Sequence, residues 1–296
     1  MNWWLVFFAI DLVFGILITV WISQQANKWS QSQRKEEKDL LSAAIPSDAR
    51  FQPRDTSHLP APVQRYLNKS IKEGTPYIST ARLRQSGKFR FNNRWIKFNA
   101  SQYYSVEPPA FNWTAKMKLG PAWITARDRY INGKGNMLIK ILSALPLFDV
   151  SGKEMDHASL VRHFSELPWL PTALLSNNIQ WQAIDDRSAK AILSDGKLAV
   201  ACTFHFNEKD EIDGFVTPSR FRSDTGKMTP WSGTFGNYQD FGNVRIPTTG
   251  SAAWNTPEGN FEYININIEN AEFNTPASDC FAALQWNHHH IVVVSL

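Results

Sequence analysis

The sequence predicts a mainly β protein of the α+β class: a large curved antiparallel sheet or half-barrel, covered by a few helices and preceded by one transmembrane helix. Three observations carry this. From Ile78 to Ile268 apolar residues recur mostly with period two, the alternation of strands with one dry face. Two helical patterns, near Pro62–Ile71 and Asp156–Leu167, interrupt the strands. Ahead of both lies a run from Trp3 to Ile22, twenty nearly unbroken apolar residues, which as a helix spans about 30 Å, the thickness of a bilayer core. The chain divides into a transmembrane anchor (1–23), a polar linker (24–57), a curved-sheet binding domain (58–276) and a tail without a clear period (277–296).

No basic segment precedes the apolar run and no A-x-A-like site follows it, so it reads as an uncleaved single-pass span through residues 3–22 rather than a signal peptide. Trp3, Trp4 and Trp21 suit the interfacial belts, and Lys28, Arg34, Lys35 and Lys38 on the C-terminal side favour a cytoplasmic domain. Asp11, Gly15 and Thr19 recur every four residues and form one stripe suited to a second transmembrane helix. Residues 24–57 are too polar to fold alone.

Pro62 opens a short helix with Val63, Tyr66, Leu67 and Ile71 on one face, closed by Gly74 and Pro76. Phe89 and Phe91, a turn at Asn92-Asn93, then Ile96, Phe98 and Ala100 make a hairpin. Past the corner at Pro108-Pro109, Phe111, Trp113, Ala115 and Met117 alternate with polar residues. Ile124 to Tyr130, Asn132-Gly133 and Met137 to Ile141 continue the meander, and LPLFDVSGKE reads as a break. Asp156 is a plausible N-cap for a helix whose apolar face is Leu160, Val161, Phe164 and Leu167, ended by Pro168. Strand patterns resume at Ile179 and run to Ile268.

The 31 basic residues interleave with 27 acidic ones for a net charge of +4, which does not support nucleic-acid binding. Cys202 and Cys280 are the only cysteines and form no C-x-x-C, so sulfur-based metal or redox chemistry is not indicated, although one disulfide stays open. No phosphate-loop, dinucleotide, nucleophile-elbow or zinc-protease motif occurs. His288, His289 and His290 read as an exposed tail. No cofactor and no metal are expected.

Two sets of residues compete as a site. Phe111, Trp113 and Met117 on one sheet face, with Phe164 and Trp169 from the covering segments, either line an apolar cavity or form packed core. Asp149, Glu154, Asp156, His157, Arg162, His163 and Glu166 are the densest titratable group and suit acid–base work if they converge. His157 and Glu166 are nine positions apart, about 180° of helix azimuth, so a solvated helix face accounts for most of this set. The sequence therefore points to a membrane-tethered module for an apolar ligand such as a lipid or lipid-linked group. The alternatives are an enzyme on a hydrophobic substrate and a scaffold for another membrane protein.

The succession QYYSVEPPAFNWTAKM and ITARDRYINGKGNM resembles that of bacterial lipoprotein carriers of the LolA/LolB kind. That resemblance implies a half-barrel closed by helices over a cavity for acyl chains, and an extracytoplasmic site opposed to the flanking-charge reading. LPAPVQRYL, RDRYINGKGNM, ELPWLPTALL and RIPTTGSAAW are similar to an uncharacterised bacterial domain family, which implies no activity.

Overall fold

The computed structural model describes residues 3–91 and 93–276; the tail, with Cys280 and the three consecutive histidines, lies outside them. Among the described residues thirteen strands form one sheet in which every pairing is antiparallel. The first wing is a meander of β1 (Thr80–Phe91), β2 (Arg94–Ser105), β3 (Ala110–Leu119), β4 (Ala122–Ile131), β5 (Lys134–Ile141) and β6 (Leu145–Ser151). The second comprises β7 (Ile179–Asp185), β8 (Ser188–Asp195), β9 (Leu198–Phe206), β10 (Ile212–Arg222), β11 (Lys227–Phe241), β12 (Val244–Thr256) and β13 (Gly259–Phe273). β13 pairs with β1, so β6 and β7 are the two edges. The segment that joins those edges crosses the concave face as α3 (Lys153–Ser165) followed by two short 3-10 turns, Leu167–Trp169 and Pro171–Leu175.

Half of the pairings contain a register shift, among them β1–β13 at Arg84/Gln85, β12–β13 at Ala252/Ala253 and β10–β11 at Thr217/Arg220. Each such irregularity adds local twist and bends the sheet. The break expected at LPLFDV is the edge strand β6; Pro146 is compatible with an edge because half of that strand's donors need no partner. The core lies between the concave face, α3 and the turns, and includes α2 (Ala61–Ser70), whose Val63, Tyr66 and Leu67 are fully buried.

The N-terminal helix α1 runs from Trp3 to Ala43. Its apolar part is wholly exposed in the isolated chain, and within it the Thr19 hydroxyl donates to the Gly15 carbonyl at 2.8 Å. The segment expected as a linker, 24–57, is thus helical to Ala43, because QQANKWSQSQRKEEKDLL contains helix formers and neither Pro nor Gly before Pro46. Tertiary contacts make it order. On the convex face Glu36 pairs with Arg127 at 2.8 Å and Arg129 at 3.0 Å, Leu40 packs with Tyr103 and Ala110, and Trp29 lies under Lys140. Beyond it, Phe51 is buried at 0% exposure and Pro53–Thr56 forms a 3-10 turn.

Glu37 is the unusual residue of this interface. Burial pushes its carboxyl up to about 7, against the smaller opposing effects of Arg82 and a Tyr103 hydrogen bond. A carboxyl raised on folding favours the folded state at low pH and withdraws that contribution as pH rises toward and past 7; the shift corresponds to about 3 kcal/mol. Proteolysis within 24–43 should therefore accelerate between pH 5 and 8 in the wild type, and Glu37→Gln should flatten that dependence.

Candidate functional site

The concave face carries two buried arginines joined by aromatic rings. The first, Arg162 on α3, donates from Nη1 to Asp128 Oδ2 at 2.7 Å and from Nε to Glu166 Oε1 at 2.9 Å. Its guanidinium lies 5.1 Å from the Phe111 ring centre and 5.0 Å from that of Trp113. The other Glu166 oxygen accepts from Gln102 Nε2 and the Tyr104 hydroxyl, both at 2.7 Å. Gln102 accepts from Gln85, which in turn accepts from the Trp113 indole, each at 2.9 Å. Helical spacing puts Arg162 and Glu166 on one α3 stripe, and period-two alternation points Gln85, Gln102, Tyr104, Trp113 and Asp128 inward. Burial and the adjoining Glu166 push the Tyr104 hydroxyl well above its ordinary range, so it stays a donor.

The second arginine, Arg220 on β10, is 6% exposed. Its Nε donates to the Ala158 carbonyl of α3 at 3.1 Å, and its guanidinium sits 4.3 Å from the Trp231 ring centre and 5.3 Å from that of Trp254. No carboxylate pairs with it among the described residues. Trp254 stacks on Tyr263 at 5.8 Å, and Tyr263 meets the half-buried Phe89 edge-on at 5.9 Å. Phe98 against Trp113, at 5.7 Å, carries the aromatic band across to the Arg162 side.

Phe111, Trp113 and Met117 all face inward and are 0%, 3% and 6% exposed. Phe164 packs edge-on against Phe204, and Trp169 packs against Phe235 beside Gly250. All five expected lining residues thus belong to one buried cluster, and Trp169 is packed under the sheet. Trp231, Trp254 and Arg220 escaped the sequence reading; the spacing of Trp231 and Trp254 either side of a hairpin was visible, but not their cross-strand pairing.

The titratable set does not converge. Asp149 is exposed and accepts from Asn136 at 2.8 Å, and Glu154 is exposed near the start of α3. Asp156 is not the N-cap, since the helix begins at Lys153; its carboxylate is buried, accepting from the Gly135 amide at 2.8 Å and pairing with Lys134 at 2.9 Å. His157 faces Arg220, and burial, then that charge, lowers its pKa. His163 is stacked on Phe111 at 6.3 Å, and burial depresses it to about 4. Glu166 is part of the buried clamp, not of a solvated helix face, because the α3 stripe at 162 and 166 turns toward β2 and β4. Among the described residues no group of three His, Cys, Asp or Glu could hold a metal ion. Cys202 is a free, buried thiol. A cleft of about 770 Å³ at the foot of β4 and β5 is lined by Arg127, Arg129, Lys134, Asp149, Lys153 and Asp156 among others.

The clamp has a measurable signature. Arg162→Met leaves Asp128 and Glu166 buried without their cation, and should cost about 3–5 kcal/mol in urea unfolding. Adding Asp128→Asn and Glu166→Gln should recover part of that loss. Gly135→Ala would place a Cβ 2.3 Å from the Met155 carbonyl oxygen and should lower stability by about 1–3 kcal/mol by lifting α3.

A model described as a family of unknown function, DUF6544, matches residues 49–266. No curated protein matches the chain. Similar solved structures include an outer membrane lipoprotein-sorting protein domain from Vibrio parahaemolyticus, at TM-score 0.35 and 8% identity over 67% of this chain and 86% of that one. A LolA superfamily protein from Nitrosomonas europaea has TM-score 0.34 and 8% identity over 74% and 95%. A DUF1329 family protein from Desulfovibrio piger has 0.33 and 10% over 85% and 98%.

Proposed function

Because the chain belongs to the family of unknown function DUF6544, whose name carries no activity, we propose its role from the concave face: a membrane-tethered module that binds an amphiphile with an acidic head. The observation that carries this reading is Arg220. A buried cation costs several kcal/mol unless it is paired, and stacking on tryptophan returns only about 2 kcal/mol. Arg162, in the same kind of aromatic setting, has two carboxylates; among the described residues Arg220 has a single backbone carbonyl. A carboxylate or phosphate group reaching Arg220 would satisfy the guanidinium, while the half-buried Phe89 and Tyr263 beside it offer apolar surface to a chain. The tether is α1, whose first twenty or so residues have the length and composition of a membrane span.

Binding is read with the full chain in detergent micelles, titrated with a fluorescent fatty acid and its neutral alcohol analogue. The acid should bind at least tenfold tighter, and Arg220→Gln should erase that preference while leaving urea stability equal or higher, since it removes a largely buried charge that has no carboxylate partner among the described residues. Equal affinity for both probes would refute the acidic head; no binding of either would refute the module.

A further inference from the structure

We propose that the hairpin tips of the first wing form a seat for the anionic lipid surface of the bilayer that α1 enters. The inference rests on the tether reading above and adds which end of the half-barrel meets the membrane and what lipid it selects.

The direction comes from how α1 lies on the convex face. Trp29 lies under Lys140, one residue from the end of β5; Glu36 pairs with Arg127 and Arg129 lower on β4; Leu40 packs on Tyr103 and Ala110 at the opposite ends of β2 and β3. Residues before Trp29 therefore project past the end of the sheet that carries the β1–β2, β3–β4 and β5–β6 hairpins. From Trp29 to Ile22 the helix rises about 10 Å, and the hairpin beyond Lys140 extends several residues in the same direction. The tips thus reach the level of the headgroup layer, roughly 5–7 Å thick on each side of the hydrocarbon.

That end is built for such a surface. Outside α1, the large exposed apolar side chains among the described residues concentrate there: Phe91, Trp95, Leu119, Leu145 and Leu147 on the three hairpins, and Met228 on the β10–β11 hairpin at the same end. Only Ile45, Ile184 and Val216 lie elsewhere. Around the tips stand the exposed cations Lys88, Arg94, Lys97, Lys116 and Lys118. Between Ile78 and Phe148 the only carboxylates are Glu107, at the far end, and Asp128, buried in the clamp. Cations beside exposed aromatic and aliphatic residues match an interface where acyl chains begin under anionic headgroups. Trp254, Tyr263 and Phe89 lie toward the same end of their strands, so the seat would open the aromatic band toward the bilayer.

The test places a photo-crosslinking amino acid at Leu12, Leu119, Leu145 or Asn132 in the full chain, reconstituted in vesicles of phosphatidylcholine alone or with phosphatidylglycerol, and counts lipid adducts by mass spectrometry. Adducts are expected at Leu12, Leu119 and Leu145, and none at Asn132, which turns at the opposite end. Replacing the five exposed cations by Gln should reduce the tip adducts at least tenfold in phosphatidylglycerol vesicles and leave Leu12 unchanged. Adducts at Leu12 with none at either tip would overturn the seat and keep the tether. Tip adducts that ignore both phosphatidylglycerol and the Gln variant would overturn the anionic selection. Absence of adducts at Leu12 would remove the tether itself, and the orientation with it.

Discussion

An arginine held between two carboxylates beneath a helix is the contact on which the rest of this structure depends. The sheet is an open meander whose two edges, β6 and β7, are consecutive in the chain yet lie at opposite ends of the strand order. The segment that joins them lies across the concave face, and a lone amphipathic helix has many ways to do so. Arg162 removes most of them, since it reaches Asp128 on β4 while its neighbour one turn later, Glu166, reaches Gln102 and Tyr104 on β2. The pairing is buried, and ion pairs in that setting add little net stability over apolar packing of the same volume; what the geometry shows is that it ties α3 to β4 and β2 at named atoms.

Gly135 sets the other end of α3. The Met155 carbonyl and the Ser159 hydroxyl occupy the space a side chain would need, and the Asp156 carboxylate binds the Gly135 amide. Together the two contacts hold the helix over one wing while Phe164 and the Ala158 carbonyl touch the other, at Phe204 and Arg220. A further hydrogen bond, from the Tyr130 hydroxyl to Asp195 at 2.6 Å, ties β4 to β8 directly. The half-barrel is thereby closed by side chains rather than by strand pairing.

The two arginines of the concave face differ in a way that separates structure from function. One is neutralised on both sides and has its hydrogen bonds supplied from within the fold. The other lies against two tryptophan rings with no carboxylate partner among the described residues, near the end of the sheet past which α1 projects. A protein that only needed to fill this space would do so at less cost with an apolar side chain, so the retained charge is the feature that most asks for a ligand.

By itself the sequence determined the antiparallel sheet, the apolar helix ahead of it and the inward face of Phe111, Trp113 and Met117, because these follow from local periodicity. The helix at Asp156–Leu167 was legible in the same way, though its start was misplaced: a carboxylate three residues into the helix looks like a cap until β5 supplies an amide for it. The helical continuation to Ala43 was missed because its polar residues show no dry face; only the convex surface, with Arg127, Arg129 and Tyr103, gives Glu36, Glu37 and Leu40 something to meet. Glu166 read as solvated for a similar reason, since its partners stand some sixty residues away on β2. Tertiary structure alone decided that Arg220 would lie against Trp231 and Trp254, because that contact depends on cross-strand register and a bulge at Thr217/Arg220, and neither is written in any local pattern.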